Sequence, residues 1–306
     1  MKPYPGPVVV GTLVDGERHL DLAGPEPFPS DQLFQIGSVT KTFTALLLAR
    51  RLVTGDLTMD TPVADLLPTA SAVRTDRPVT VGELATHRSG LPRIPASMWP
   101  KALTFDDNPY QTYGDEQLAA DLARVRLHLR GRVRYSNFGM GMLGHALAEA
   151  EGMTYGDLVR SEICEPLGLA DTTAVPDDEQ RGRLAEGHKR RGKTRAVAWE
   201  FDALAGAGAL WSTGSDLLGY LEAHLDPPEG PLGAALRRVL EAPVLAWQTI
   251  PKGRYAGLWW HNGGTAGFRS MVVLDPARRR ASLALAAVDR GVEALALDAL
   301  DALGQD

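Results

Sequence analysis

The sequence predicts an α/β protein of the α+β kind: an antiparallel sheet built from both chain termini and flanked by helices, with a mostly helical lobe inserted and an active site between the two. Three observations predict this. Segments with the two-residue alternation of strands occur near the beginning and again near the end of the chain. The middle carries helical periodicity broken by proline-containing loops. With 306 residues, 44% of them hydrophobic and 23% charged, the chain is long and apolar enough to bury a large core. Residues 1–55 and 185–306 are assigned to the sheet lobe and 56–184 to the helical lobe, as one structural unit.

The elements follow in order. Val8 to Val14 and Glu17 to Ala23 flank Asp15-Gly16, the strongest short-range signal for a hairpin, and Pro25, Pro27 and Pro29 end the second strand. A short extended piece, Leu33 to Ile36, leads into Gly37-Ser38. Thr40 to Thr54 reads as a helix with apolar residues at Phe43, Leu46, Leu47 and Leu48, closed by Gly55 where a left-handed cap is expected. Thr80-Val81-Gly82-Glu83 fits a capping box that opens a short helix, and Glu116 to Val125 and Gly139 to Glu151 carry helical spacing. Strands return at Thr194 to Phe201, Arg254 to His261, Phe268 to Leu274 and Ala281 to Val288, before a last helix from Val292 to Leu303.

Composition excludes several classes. The net charge of -6, with arginines scattered rather than striped, lacks the footprint that binding nucleic acid requires. The single cysteine, Cys164, makes no internal disulfide and anchors no zinc, and it reads as a small buried residue. No metal or cofactor is expected. The opening Met1-Lys2-Pro3-Tyr4-Pro5-Gly6-Pro7 places proline and glycine where an export signal needs about 7 to 15 apolar residues, and no run approaches the roughly 20 that span a bilayer. A cytoplasmic protein with no membrane contact is therefore expected.

Ser38-Val39-Thr40-Lys41 puts a hydroxyl and an amine one turn apart on the same face at a helix start. Serine needs an adjacent base, and a lysine serves only if burial drives its pKa down from about 10.4. The 11 serines and 6 lysines of the chain would give roughly 0.2 such spacings by chance, so the match alone is weak. Tyr135-Ser136-Asn137, read as a loop before the Gly139 helix, offers a phenol to carry a proton and an amide to hold a substrate carbonyl. His261-Asn262-Gly263-Gly264 follows an apolar strand, where glycine lets a substrate approach the strand edge and the Gly264 N–H can serve as a second oxyanion donor beside that of Ser38.

Taken separately, each of these has a bland reading: a capping serine beside a solvated lysine, a turn with a surface tyrosine, a glycine-rich hairpin. Their order and wide spacing together resemble the serine β-lactamase and penicillin-binding-protein superfamily, in its class C branch with D-alanyl-D-alanine carboxypeptidases and esterases. Flanking text resembles it too: Phe34-Gln35-Ile36-Gly37-Ser38, Gly55 to Val63, Leu84-Ala85-Thr86-His87-Arg88-Ser89-Gly90-Leu91-Pro92 and Pro166-Leu167-Gly168-Leu169. The Ser-x-x-Lys signature is a known one. The resemblance implies that Ser38 is acylated, that Lys41 is its base and Tyr135 the proton relay, and that Asn137, His261, Gly263 and Gly264 bind substrate. It implies a small ester, amide or β-lactam-like substrate.

The chain departs from the family pattern at Asn262, where a threonine or serine hydroxyl is usual. A neutral imidazole at position 261 also anchors a carboxylate less well than an ammonium does, so a substrate without a free carboxylate is expected. An acyltransferase using the same acyl-enzyme, and a non-catalytic penicillin-binding-type sensor, are the competing readings; the retained base speaks against the second. Gly139-Met140-Gly141-Met142-Leu143-Gly144 matches a dinucleotide fingerprint by letters only and reads as close helix packing. Trp99, Trp211, Trp259 and Trp260 are candidates for an aromatic pocket, though core packing explains each as well.

Overall fold

The computed structural model describes residues 4–99 and 108–304; the first three residues of the proline-rich opening lie outside that range. Six strands form one antiparallel sheet in the order β2-β1-β8-β7-β6-β5. They are β1 (Val8–Val14), β2 (Glu17–Ala23), β5 (Gln248–Thr249), β6 (Trp259–Gly264), β7 (Arg269–Asp275) and β8 (Arg280–Ala286). The first strand pairs with the last, Val8 opposite Ala286, so the sheet closes over both ends of the described chain. Two further short strands, β3 (Phe34–Gln35) and β4 (Trp211–Ser212), pair with each other.

Both faces of the sheet are covered, and the alternation of side chains assigns each residue to one of them. Leu283 and Leu285 of β8 and Val272 and Leu274 of β7 join the main core with helix Thr40–Thr54. Their neighbours Ala284, Ala286, Met271 and Val273 pack instead with Ala296 and Leu300 of helix Glu293–Ala302. Helix Thr40–Thr54 is buried on every side through its first ten residues, Thr40 to Ala49, and Phe43 stacks on Tyr220 with ring centroids 4.0 Å apart. A helix buried all round is a fixed rod, and it carries the serine turn at its beginning.

Local signals behave as expected where their hydrogen bonds close locally. Asp15 and Gly16 both take positive φ in the hairpin turn, Gly55 caps the helix at φ 83°, and Thr80 and Glu83 make the reciprocal capping box. The helical glycines are packing devices: a side chain on Gly141 would run into Leu204 and one on Gly144 into Gly206.

Three expectations need correction, and the alternatives left open for the tryptophans are divided between core and cleft. Thr194 to Phe201 is no strand; apart from an isolated bridge between Arg195 and His188 it is irregular, because the N–H and carbonyl of Trp199 are bonded to the side chain of Gln35 rather than to a ladder. The strand expected from Arg254 begins at Trp259, after a turn with Gly253 and Gly257 at positive φ. Asn137 is the first residue of helix Asn137–Glu151, capped by Ser136, rather than part of a preceding loop. Of the four tryptophans, Trp211 packs on Phe268 in the core, Trp259 packs against the same core, Trp99 is half-exposed, and Trp260 alone lines the cleft described next.

Candidate active site

The serine turn is built by contact between two backbones. Gly37 sits at φ +49°, and a side chain there would lie 2.6 Å from the Gly264 nitrogen. Only glycine suits both the conformation and the space. Gly263 is equally constrained, since a Cβ would fall 2.0 Å from the Ile36 carbonyl oxygen. Its glycine therefore serves the docking of β6 onto the serine turn, while the residue also lines the cavity described below. Ser270 adds a hydrogen bond of 2.7 Å to the Ile36 carbonyl.

This docking presents a second backbone donor. Thr265 N–H bonds to the Phe268 carbonyl, so the next pair inward, Gly264 with Arg269, is of the non-hydrogen-bonded kind in the antiparallel alternation. The Gly264 N–H then points away from β7, toward the edge on which Gly37 and Ser38 lie. β5 reaches only Trp259 and Trp260 and leaves that edge open.

Lys41 lies one turn after Ser38 with no exposed surface, its Nζ 2.8 Å from Ser38 Oγ and 2.6 Å from the Ala207 carbonyl oxygen. Burial holds its pKa well below the ordinary lysine range, and the nearby Arg93 cation lowers it further. In the neutral amine an N–H donates to Ala207 while the lone pair is free to accept from the serine hydroxyl. The loop that supplies this carbonyl is itself fixed, because Thr44 Oγ1 bonds the Gly206 carbonyl and the Tyr155 hydroxyl, both at 2.8 Å.

Tyr135 completes the cluster. Burial pushes its phenol up to about 12, only partly offset by the Ser38 hydroxyl and Arg93, so the phenol keeps its proton at neutral pH. Lys41 Nζ stands 5.0 Å from the ring centroid and the Arg93 guanidinium 5.3 Å from it. Asn137 Nδ2 donates to the Tyr110 hydroxyl at 3.0 Å, while its Oδ1 is buried without a partner.

His261 is wholly buried. Its Nδ1 bonds the Asn262 carbonyl at 2.8 Å, which makes Nε2 the free acceptor of the neutral ring. Burial, with Lys41 and His87 nearby, brings its pKa down to about 3. His87, at φ +57°, is a neighbour that sequence reasoning placed only in flanking text; its ring lies 4.6 Å from Tyr135, Nδ1 accepts from the Ser136 N–H, and burial brings it too down to about 3. The pocket thus keeps its bases uncharged.

The groups converge on one cavity of about 1010 Å³ that includes Ser38, Tyr135, Asn137, Gly263 and Gly264; His261 and Lys41 stand behind its wall. Residues that sequence reasoning missed also line it: Arg93, Trp199, Asp289 and Glu293. Gln35 positions the wall, since its Oε1 accepts from Trp199 N–H at 3.1 Å and Thr265 Oγ1 at 2.8 Å. Among the described residues no cluster of histidine, cysteine or carboxylate side chains could hold a metal ion, and no helix is long and apolar enough to cross a membrane.

Comparison with known proteins identifies the family and the fold. A family model described as Beta-lactamase matches residues 5–305. D-alanyl-D-alanine-carboxypeptidase/endopeptidase AmpH of Escherichia coli (strain K12) is 28% identical over 230 residues, covering 70% of this chain and 56% of that protein. Penicillin-binding protein 4 of Amycolatopsis lactamdurans is 28% identical over 258 residues, covering 78% and 64%. The chain therefore spans between about half and two thirds of these relatives' length. Among solved structures, a β-lactamase/D-alanine carboxypeptidase from Pseudomonas syringae superposes with a TM-score of 0.82 at 20% identity, covering 98% of this chain and 94% of that one. A class C β-lactamase from Rhodobacter sphaeroides gives 0.79 at 23% identity, with 98% and 94% covered.

Proposed function

The chain belongs to the beta-lactamase family, and from that premise we propose that it is an active-site serine hydrolase that forms an acyl-enzyme on Ser38. The observation that carries this is the fully buried Lys41 amine, 2.8 Å from the serine hydroxyl, with its pKa held well below the ordinary lysine range by burial. Ser38 Oγ attacks the substrate carbonyl carbon as its proton passes to Lys41 Nζ. The N–H groups of Ser38 and Gly264 receive the developing oxyanion. Collapse breaks the bond to the leaving group, which takes a proton from Lys41 by way of the Tyr135 phenol. A phenol that keeps its proton is suited to relay one and unsuited to act as the resting base. Water then attacks the ester, its proton passes to the same Tyr135–Lys41 pair, and Ser38 is restored with its proton.

The substrate class follows from the partners on offer. Asn137 offers a buried carbonyl oxygen to a substrate N–H. His261, uncharged, is no anchor for a carboxylate at the end of β6. We propose esters and amides as substrates, with simple esters turned over faster than cephalosporins or D-alanyl peptides. The test is covalent capture: a fluorophosphonate and a fluorescent penicillin, followed by mass spectrometry of the digest, should place an adduct on Ser38 and nowhere else. No adduct at Ser38 from folded protein would refute the assignment.

A further inference from the structure

The cavity has a charge pattern that the acyl-transfer machinery does not use. Four cationic side chains, Arg93, Lys189, Arg190 and Arg269, and two carboxylates, Asp289 and Glu293, line it in a chain whose net charge is -6. Two of these neutralise each other, because Arg269 is ion-paired with Asp289. At the end of β6, Asn262 Nδ2 donates to Glu293 Oε1 at 2.9 Å. An anionic group placed there would meet a carboxylate and a neutral, buried imidazole, which repels or ignores it.

The opposite wall is different. The Arg93 carbonyl accepts the N–H groups of Asn137 at 2.9 Å and Phe138 at 3.2 Å, which pins its backbone to the start of helix Asn137–Glu151. Its side chain is exposed to the cavity, with the guanidinium over the face of Tyr135. A planar cation resting on an aromatic face is partly pre-organised and keeps its fork of donors free to meet a carboxylate.

Resting on the hydrolase reading above, we propose that Arg93 is a specificity-determining residue that receives an anionic group of the substrate. The preferred substrates are esters or amides with a carboxylate within a few bonds of the scissile carbonyl, on the Asn137 side of the cleft. The anchor has moved from the strand end, where Glu293 opposes it, to the helical wall. This departs from the expectation of a substrate without a free carboxylate: the carboxylate is unwelcome at β6, where position 261 stands, but accepted across the cleft.

Two matched series test it. One varies the acyl part of p-nitrophenyl esters: butyrate, the monoester of glutarate, and 4-trimethylammoniobutyrate. The other varies the leaving group of butyrate esters: phenol and 3-hydroxybenzoate. In one of the two, wild-type kcat/KM should favour the anionic member over the neutral one by about two- to fivefold at low salt, the size expected of a charge contact open to solvent. Arg93→Gln should reduce that ratio to near one, Arg93→Lys should retain part of it, and Arg93→Glu should invert it, all with neutral-ester turnover still measurable. Glu293→Gln should leave the Arg93-dependent preference in place. No anionic preference in either series, or one that survives Arg93→Gln, overturns the proposal while normal fluorophosphonate labelling of Ser38 leaves the hydrolase reading intact. Loss of both labelling and turnover in folded wild-type protein overturns the two together.

Discussion

The two walls of the cleft treat a buried base differently, and the contrast separates chemistry from recognition. At the beginning of helix Thr40–Thr54, Lys41 is buried with a serine hydroxyl on one side and a carbonyl on the other, so its lone pair has a purpose. At the end of β6, His261 is buried as completely, yet its Nε2 has no partner and its neighbour Asn262 is tied to Glu293. Desolvation acts on both. On the first wall it makes a base; on the second it removes a cation. The amine stays in contact with the serine, and the strand end offers no cation.

The hardest way to break the comparison is at Lys41. Lys41→Ala and Ser38→Ala should each lower kcat for an activated ester by about 10³-fold or more, with the double variant scarcely worse than either, because residues acting as one unit are not additive. Lys41→Met should lose activity equally and yet melt at a higher temperature. The folded pKa of Lys41 lies below its unfolded value, so burying the amine costs stability at every pH below the folded pKa. That cost shrinks as pH rises toward about 10.4, the ordinary lysine value. The melting advantage of Lys41→Met should therefore be largest at neutral and acidic pH and disappear in alkaline buffer. A Lys41→Met protein that melts lower than wild type throughout would show that the amine is stabilised by partners rather than endured.

Tyr135 comes next in size. Tyr135→Phe keeps the ring beneath Arg93 and removes the hydroxyl, so the relay alone is lost. Turnover of alkyl esters should fall by about 10²-fold, the scale of general acid catalysis. Turnover of p-nitrophenyl esters should fall far less, because that leaving group departs without a proton. Equal losses for both would show that the phenol positions the serine instead of protonating the leaving group.

How much of this was legible beforehand follows from where each contact closes. Asp15-Gly16, Thr80 to Glu83 and Thr40 to Gly55 satisfy their backbone groups within a few residues, and their conformations follow from local composition. Ser38 and Lys41 were legible for the same reason: three residues on one turn place them in contact, whatever the rest of the chain does. Thr194 to Phe201 misled because its Thr, Val, Trp and Phe content suits a strand. At Trp199 its backbone is instead claimed by Gln35, a partner 164 residues away, and at Glu200 by the side chain of Asn108. Arg93 and Glu293 carried no signal at all, and His87 only its place in flanking text that resembles the family. Each gains meaning only from the ring, the amide or the cavity that the fold sets beside it.

The smallest effect tests whether the two walls communicate through charge. Only the unprotonated form of Lys41 accepts the serine proton, so the acid limb of kcat/KM against pH reports its pKa in the free enzyme. The Arg93 guanidinium disfavours a second cation nearby and lowers that pKa, after burial the next contribution. Arg93→Gln should therefore move the acid limb to higher pH when a neutral ester such as p-nitrophenyl butyrate is the substrate, with the plateau rate above it nearly unchanged. The neutral ester matters, because it separates tuning of the base from capture of an anionic group. High salt should draw wild type toward the variant, since Arg93 is exposed and its field is screened within about 8 to 10 Å. His261, with its pKa down at about 3, is uncharged throughout this window and adds no limb of its own. A limb that stays fixed in Arg93→Gln would mean that burial alone sets the base, and that Arg93 faces the substrate without touching the chemistry.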